Sequence, residues 1–183
     1  MDLIEKAIMV ASKAHDGQYR KLTNIPYITH PLGVSLILMR IGAREELVAA
    51  GILHDTVEDT ELTLADIKDG FGDEVAELVD GCSEPDKSLS WEARKEHTIS
   101  VLQTASEDTR TVVCADKLHN IRSIIRDYED QGEQVWSRFN RGKEKQEWYY
   151  RNVVKSLGHA STFPLLEELK KEVDILFSSA RTQ

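Results

Sequence analysis

The 183-residue sequence predicts an all-α fold in one domain. Three observations carry that reading. Apolar residues recur at spacings of three and four along most of the chain, alternating strand patterns with hairpin turns are nearly absent, and no break is long enough to link two domains. At about 150 residues per domain, the length fits one domain with a modest appendage. Apolar residues make up 40% and charged residues 30%, a globular balance too hydrophobic for intrinsic disorder.

The elements follow in order. Leu3, Ile4, Ala7, Ile8, Ala11 and Ala14 mark one face of a first helix. Gly17 to Pro26 is a break, and Ile25-Pro26-Tyr27-Ile28 reads as an extended loop because proline cannot donate to a ladder. A second helix begins just after His30-Pro31, where proline suits a first turn, and carries Val34, Ile37, Leu38 and Ile41. Leu47, Ala50, Gly51 and His54 form a third stripe, and that helix is expected to continue through Glu58-Asp59. Phe71, Val75, Leu78, Val79 and Cys82 form a fourth, after which Gly81 to Ser90 reads as a break. Longer helices are expected over residues 90–104, 107–127 and 132–158. Pro164 opens the last one, which carries Leu165, Leu166, Leu169, Val173 and Leu176.

Composition excludes several functions. The net charge is −9 and the pI is near 5.2, so a global basic footprint for duplex nucleic acid is absent. Cys82 and Cys114 make no CxxC pair, which excludes a disulfide scaffold or a zinc ribbon. The N-terminus lacks the basic and then apolar profile of a signal peptide, and no apolar run approaches the ~20 residues of a membrane span. A soluble, cytoplasmic protein with no membrane partner is expected.

Four features carry chemistry: His30 before Pro31, His54-Asp55, Glu58-Asp59 and Ala115-Asp116-Lys117-Leu118-His119-Asn120. On one helix His54 and Glu58 lie a turn apart, as do Asp55 and Asp59, so the four polar groups share a wedge at the end of the apolar run Ala49 to Leu53. Ionised carboxylates near a core are costly unless paired or bound to a cation. Asp116, Asn120 and Ser123, at spacings of four and three, share another helical face. His30, His54, Asp55 and Asp116 together offer two nitrogens and two oxygens, a set suited to Mn, Fe, Zn or Ni rather than calcium. Open coordination positions would leave room for water or a substrate oxygen, as hydrolysis requires.

The segments A-H-D-G-Q-Y-R-K (14–21), P-Y-I-T-H-P (26–31), A-A-G-I-L-H-D-T-V-E-D-T (49–60), F-G-D-E-V-A-E-L-V-D-G (71–81) and A-D-K-L-H-N-I-R-S (115–123) resemble the HD-domain phosphohydrolases, and more closely the hydrolase domain of RelA/SpoT-type alarmone enzymes. The likeness is strongest over residues 5–127. It implies an HD-type helical bundle filling residues 1–183, with 128–183 as a C-terminal helical extension. With no synthetase or regulatory segment following in this sequence, it implies a stand-alone small hydrolase like the metazoan SpoT homologues.

The implied activity is removal of the 3′-pyrophosphate from a guanosine alarmone, releasing GDP or GTP. The resemblance implies one manganese ion per chain on His30, His54, Asp55 and Asp116. It assigns Glu58 and Asp59 to the attacking water, Arg20 and Lys21 to the base pocket, and Asn120 and Ser123 to the sugar and phosphate side. Leu-Thr-Asn-Ile-Pro after Lys21 departs from the usual Ser-Gly-Glu-Pro of the long enzymes, and Lys117 replaces a common arginine, so guanine against adenine stays open. An adenosine alarmone, a nucleoside monophosphate and a non-catalytic nucleotide sensor are the alternatives. Homo-oligomerisation is left open.

The remaining singular residues have plainer readings. His15 ends the first apolar stripe as a buried, hydrogen-bonded histidine, His97 and His159 are surface residues, and His119 need not face the metal. Cys82 and Cys114 act as small hydrophobes. Residues 138–155 hold six cations against Glu144 and Glu147, interleaved with Phe139, Trp148, Tyr149 and Tyr150. Two readings stand equal there: a solvated basic helix with core aromatics, or a positive patch admitting an anionic nucleotide through Arg138, Arg141 and Lys143.

Overall fold

The computed structural model describes residues 1–84, 88–160 and 162–178, so part of the expected Gly81–Ser90 break and of the 128–183 extension lies outside the described residues. Among the described residues there are helices and no strand, and a single bridge pairs Tyr19 with Pro26. The chain forms two compact units, Met1–Glu84 with Ser106–Asp116, and Pro85–Ala105 with Lys117–Gln183.

The first unit contains α1 (Leu3–Ala14), α2 (Thr29–Arg40), α3 (Glu45–Leu53), α4 (Thr56–Asp59), α5 (Leu64–Phe71), α6 (Asp73–Cys82) and the start of α8 (Glu107–Gln131). α3 is its hub. Every residue from Leu47 to Leu53 is buried, as suits a helix apolar on all sides, and α1, α2 and α6 pack against it. Gly51 lets α2 come close, since a Cβ there would lie 2.5 Å from Leu38 Cδ1. Asp2 caps α1 by accepting from the Glu5 amide at 2.7 Å, and a Thr63–Asp66 capping box starts α5. The fourth apolar stripe spans two helices rather than one, because Gly72 (φ +89°) turns the chain between α5 and α6.

The expected continuous helix through residues 47–59 is also broken. His54 Nδ1 donates to the Gly51 carbonyl at 2.8 Å, and Thr56 Oγ1 donates to the Leu53 carbonyl at 2.7 Å. These side chains compete for the carbonyls that a continuing ladder would use, and α3 ends before α4 begins. His54 and Asp55 therefore sit at a bend.

The second unit contains α7 (Trp91–Leu102), the rest of α8, a 3-10 helix (Gly132–Arg138), α9 (Gly142–Leu157) and α10 (Pro164–Ser178). The helix expected over 132–158 is two elements. Gly132 (φ +58°) and Gly142 (φ +67°) adopt left-handed conformations that glycine enters freely, and they bound the 3-10 turn. Trp136 stacks on Phe177 at 5.7 Å, and all five apolar residues expected on α10 are buried. His97 and His159 are exposed. No helix among the described residues is long and apolar enough to cross a membrane.

Candidate metal centre

Three elements of the first unit deliver the site. His30 stands in the first turn of α2, His54 and Asp55 at the bend after α3, and Asp116 on α8 after the buried run Val112–Ala115. His30, His54 and Asp116 are all buried, and one potential ligand atom from each lies within 4.8 Å of the others. His30 Nε2 is 3.2 Å from Asp116 Oδ1 and 3.5 Å from Asp55 Oδ2. His54 Nε2 is 3.0 Å from Asp55 Oδ2 and 3.7 Å from Asp116 Oδ1.

The donor chemistry fits a divalent cation. His54 Nδ1 is committed to a backbone carbonyl, while its buried Nε2 has no hydrogen-bond partner and faces two carboxylates. Metal-binding histidines are oriented in the same way, with the second ring nitrogen donating to a carbonyl. Without a cation the charges must balance through protons. Burial lowers His30, despite the pull of Asp116. Burial acts in the same direction on His54, but Asp55 and Asp116 outweigh it and carry the imidazole up to about 9. Burial would raise the Asp55 carboxyl, yet His54 and His30 hold it well below the ordinary carboxylate range.

Asp55 Oδ2 also accepts the Tyr27 hydroxyl at 2.5 Å. Burial and the neighbouring Asp55 raise the Tyr27 phenol, so it stays a donor. Glu58 is partly buried, which raises its carboxyl, and its Oε2 accepts the Glu84 amide at 3.2 Å. Asp59 is exposed, and its carbonyl accepts Gln18 Nε2 at 2.8 Å. Glu58 and Asp59 thus occupy α4, directly after the histidine–aspartate bend. Tyr27 and Gln18 were not singled out from sequence, although both fall inside the motifs at 26–31 and 14–21.

The other expected site residues are placed as follows. Arg20 and Lys21 open a loop closed by Arg20 N–H to the Ile25 carbonyl at 2.8 Å, and Arg20 lies 5.9 Å from the Tyr27 ring. Asn120 and Ser123 lie further along α8, in the second unit. Arg138 pairs with Asp127 at 2.8 Å, Arg141 with Glu92 at 2.9 Å and Lys143 with Glu133 at 2.7 Å. Tyr149 and Tyr150 are buried among the aromatic contacts of the second unit. His15 is buried and bonds Gln18, Cys114 is buried, and Cys82 is partly exposed.

A helical unit that gathers two histidines and two aspartates, with an acidic pair on the next short helix, has the make-up of a metal-dependent hydrolase core. The model of the HD domain matches residues 7–144, and the chain belongs to that family. Among curated proteins it is 46% identical over 124 residues to the GTP pyrophosphokinase of Streptomyces coelicolor, covering 66% of this chain and 14% of that one. It is 40% identical over 121 residues to the guanosine-3′,5′-bis(diphosphate) 3′-pyrophosphohydrolase of Haemophilus influenzae, covering 63% and 18%. The chain therefore spans less than a fifth of either relative.

Two solved structures match over most of their length. The crystal structure of lmo0812 from Listeria monocytogenes aligns with a TM-score of 0.77 and 43% identity, covering 81% of this chain and 99% of that one. A metazoan ortholog of SpoT, described as hydrolysing ppGpp, aligns with a TM-score of 0.81 and 26% identity over 97% of each chain.

Proposed function

We propose that this chain is a manganese-dependent hydrolase that converts guanosine 3′,5′-bis(diphosphate), or its 5′-triphosphate form, into GDP or GTP and pyrophosphate. The observation that carries the reading is the His30–His54–Asp116 cluster with Glu58 and Asp59 on the next short helix of the same unit. Relatives named for this reaction and the likeness to the SpoT ortholog support the substrate class.

His30, His54, Asp55 and Asp116 would hold the ion. The mixed nitrogen and oxygen set favours a transition metal over calcium, and manganese is the family's ion by resemblance. When bound, a divalent ion supplies Lewis acidity toward a water and a phosphoryl oxygen. Glu58, its carboxyl raised by burial, or Asp59 takes the proton from the attacking water. The bond between the ribose 3′ oxygen and its phosphorus breaks. The water oxygen leaves on pyrophosphate, and a proton returns to the 3′ oxygen.

Arg20 would stack its planar guanidinium on the purine, with Lys21 beside it. The resemblance adds Asn120 and Ser123 for the sugar and phosphate side. Local charge adds Arg138, Arg141 and Lys143 for phosphate, which would have to displace Asp127, Glu92 and Glu133. Stacking accepts either purine, so the base choice falls to the edge of the 22–25 loop. There Thr23 Oγ1 is spent on the Arg20 carbonyl and the Ile25 amide, and Asn24 is exposed. Arg20→Ala is expected to lower kcat/KM on guanosine and adenosine alarmones alike by about tenfold or more, on the scale of lost base stacking. Asn24 substitutions should instead change their ratio, as competition kinetics with both substrates would show.

The test of the overall reading is chromatography of products after incubation with manganese and a panel of purine nucleotides. GDP and pyrophosphate from guanosine 3′,5′-bis(diphosphate) are expected. Tight binding without turnover would make the chain a sensor, and turnover of nucleoside monophosphates alone would replace the substrate.

A further inference from the structure

We infer that His15, Gln18 and Tyr27 form a positioning brace behind the metal centre, in which Tyr27 sets the Asp55 carboxylate and Gln18, oriented by His15, sets the Asp59 end of α4. The inference rests on the metal and acid assignments above and adds three residues that touch neither an ion nor the reacting phosphorus.

The brace is continuous in the hydrogen bonding. Gln18 Nε2 donates to the Asp59 carbonyl at 2.8 Å, a group that can only accept. That fixes the amide, so Gln18 Oε1 faces His15 Nδ1 at 2.8 Å and the imidazole must donate from Nδ1. His15 Nε2 is then the bare nitrogen, buried and without a hydrogen-bond partner. The orientation of one amide thus depends on one histidine tautomer in a site where His15 is only 3% exposed.

The second arm starts from the same place. The His15 ring contacts the Tyr27 ring at 4.9 Å, and Tyr27 N–H donates to the Gln18 carbonyl at 2.8 Å. The Tyr27 hydroxyl reaches Asp55 Oδ2, the same oxygen that faces both histidine Nε2 atoms. The Tyr27 carbonyl accepts the His30 amide at 2.9 Å, which ties the arm to the start of α2. One arm therefore ends on a carboxylate of the metal set and the other on the backbone of the acid pair. The two arms should fail differently.

The experiment measures manganese affinity without nucleotide by isothermal titration calorimetry, and then kcat and KM at saturating manganese. Tyr27→Phe keeps the ring and removes the hydroxyl. It should weaken manganese 10- to 100-fold, the usual cost of losing an outer hydrogen bond to a ligand, with kcat recovering at saturating metal. Gln18→Ala should leave manganese affinity within about twofold and lower kcat by about tenfold with KM unchanged, the scale of one hydrogen bond. His15→Gln should copy Gln18→Ala, whereas His15→Asn, which places an N–H near the position of Nδ1, should restore most of kcat.

Wild-type affinity in Tyr27→Phe, or an Asn variant no better than the Gln variant at position 15, would overturn the brace and leave the metal centre standing. Wild-type protein that binds manganese no better than His54→Ala would overturn the metal centre, and the brace with it.

Discussion

His54→Ala and Asp116→Ala should each lose manganese binding and turnover together. The two residues meet from different elements, the bend after α3 and the buried part of α8, with His54 Nε2 3.7 Å from Asp116 Oδ1. Asp116 Oδ1 also lies 3.2 Å from His30 Nε2, so it serves both histidines of the cluster. His54 Nε2 has no hydrogen-bond partner, and only the acidic oxygens answer it. Losing an outer-shell partner typically costs a metal site 10- to 100-fold in affinity, so losing a ligand should exceed about 100-fold and leave activity at background. Removing Asp116 also strips a partner from a buried imidazole, and breaking a buried pair costs about 3–5 kcal/mol. Thermal melts should accompany the metal analysis, so that loss of ligand is separated from loss of fold. Elemental analysis showing equal metal in wild type and a folded Asp116→Ala would remove Asp116 from the set.

Replacing Glu58 with Gln and Asp59 with Asn should spare metal content and nucleotide affinity while lowering kcat by about 10²–10⁴-fold, the scale of general acid–base catalysis. The substitutions keep shape and hydrogen-bonding capacity but cannot take a proton. Glu58 is the stronger candidate base, because burial raises its carboxyl above the ordinary range while the Glu84 amide holds it in place. A variant whose lost activity is entirely a raised KM would make the pair binding residues instead.

Much of this site was legible because its residues lie next to strong helical signals. Proline after His30 signalled a nearby helix start, expected just after Pro31; α2 begins at Thr29 and takes His30 into its first turn. The apolar run ending at Leu53 predicted that His54 would be buried, and it is 3% exposed. Asp116 was singled out by its spacing to Asn120 and Ser123, and all three lie on α8.

The misses share a physical cause. Periodicity cannot detect a side chain that takes a backbone carbonyl, so the bend made by His54 and Thr56 was read as helix. Gly142 was likewise read as helix interior, although its left-handed φ ends one element and opens another. Tyr27 and Gln18 act through contacts across 28 and 41 residues of chain, which no local pattern encodes. The basic patch at 138–155 was visible in composition, but its pairing with Glu92, Asp127, Glu133 and Asp174 was not.

Everything proposed for this chain turns on four side chains of the first unit holding one transition ion. Anomalous diffraction at the manganese edge from crystals grown with manganese tests it most directly. One peak per chain is expected, within about 2.0–2.2 Å of His30 Nε2, His54 Nε2 and oxygens of Asp55 and Asp116, the scale of metal bonds to nitrogen and oxygen. A peak elsewhere, or none at a manganese concentration that supports turnover, would contradict it.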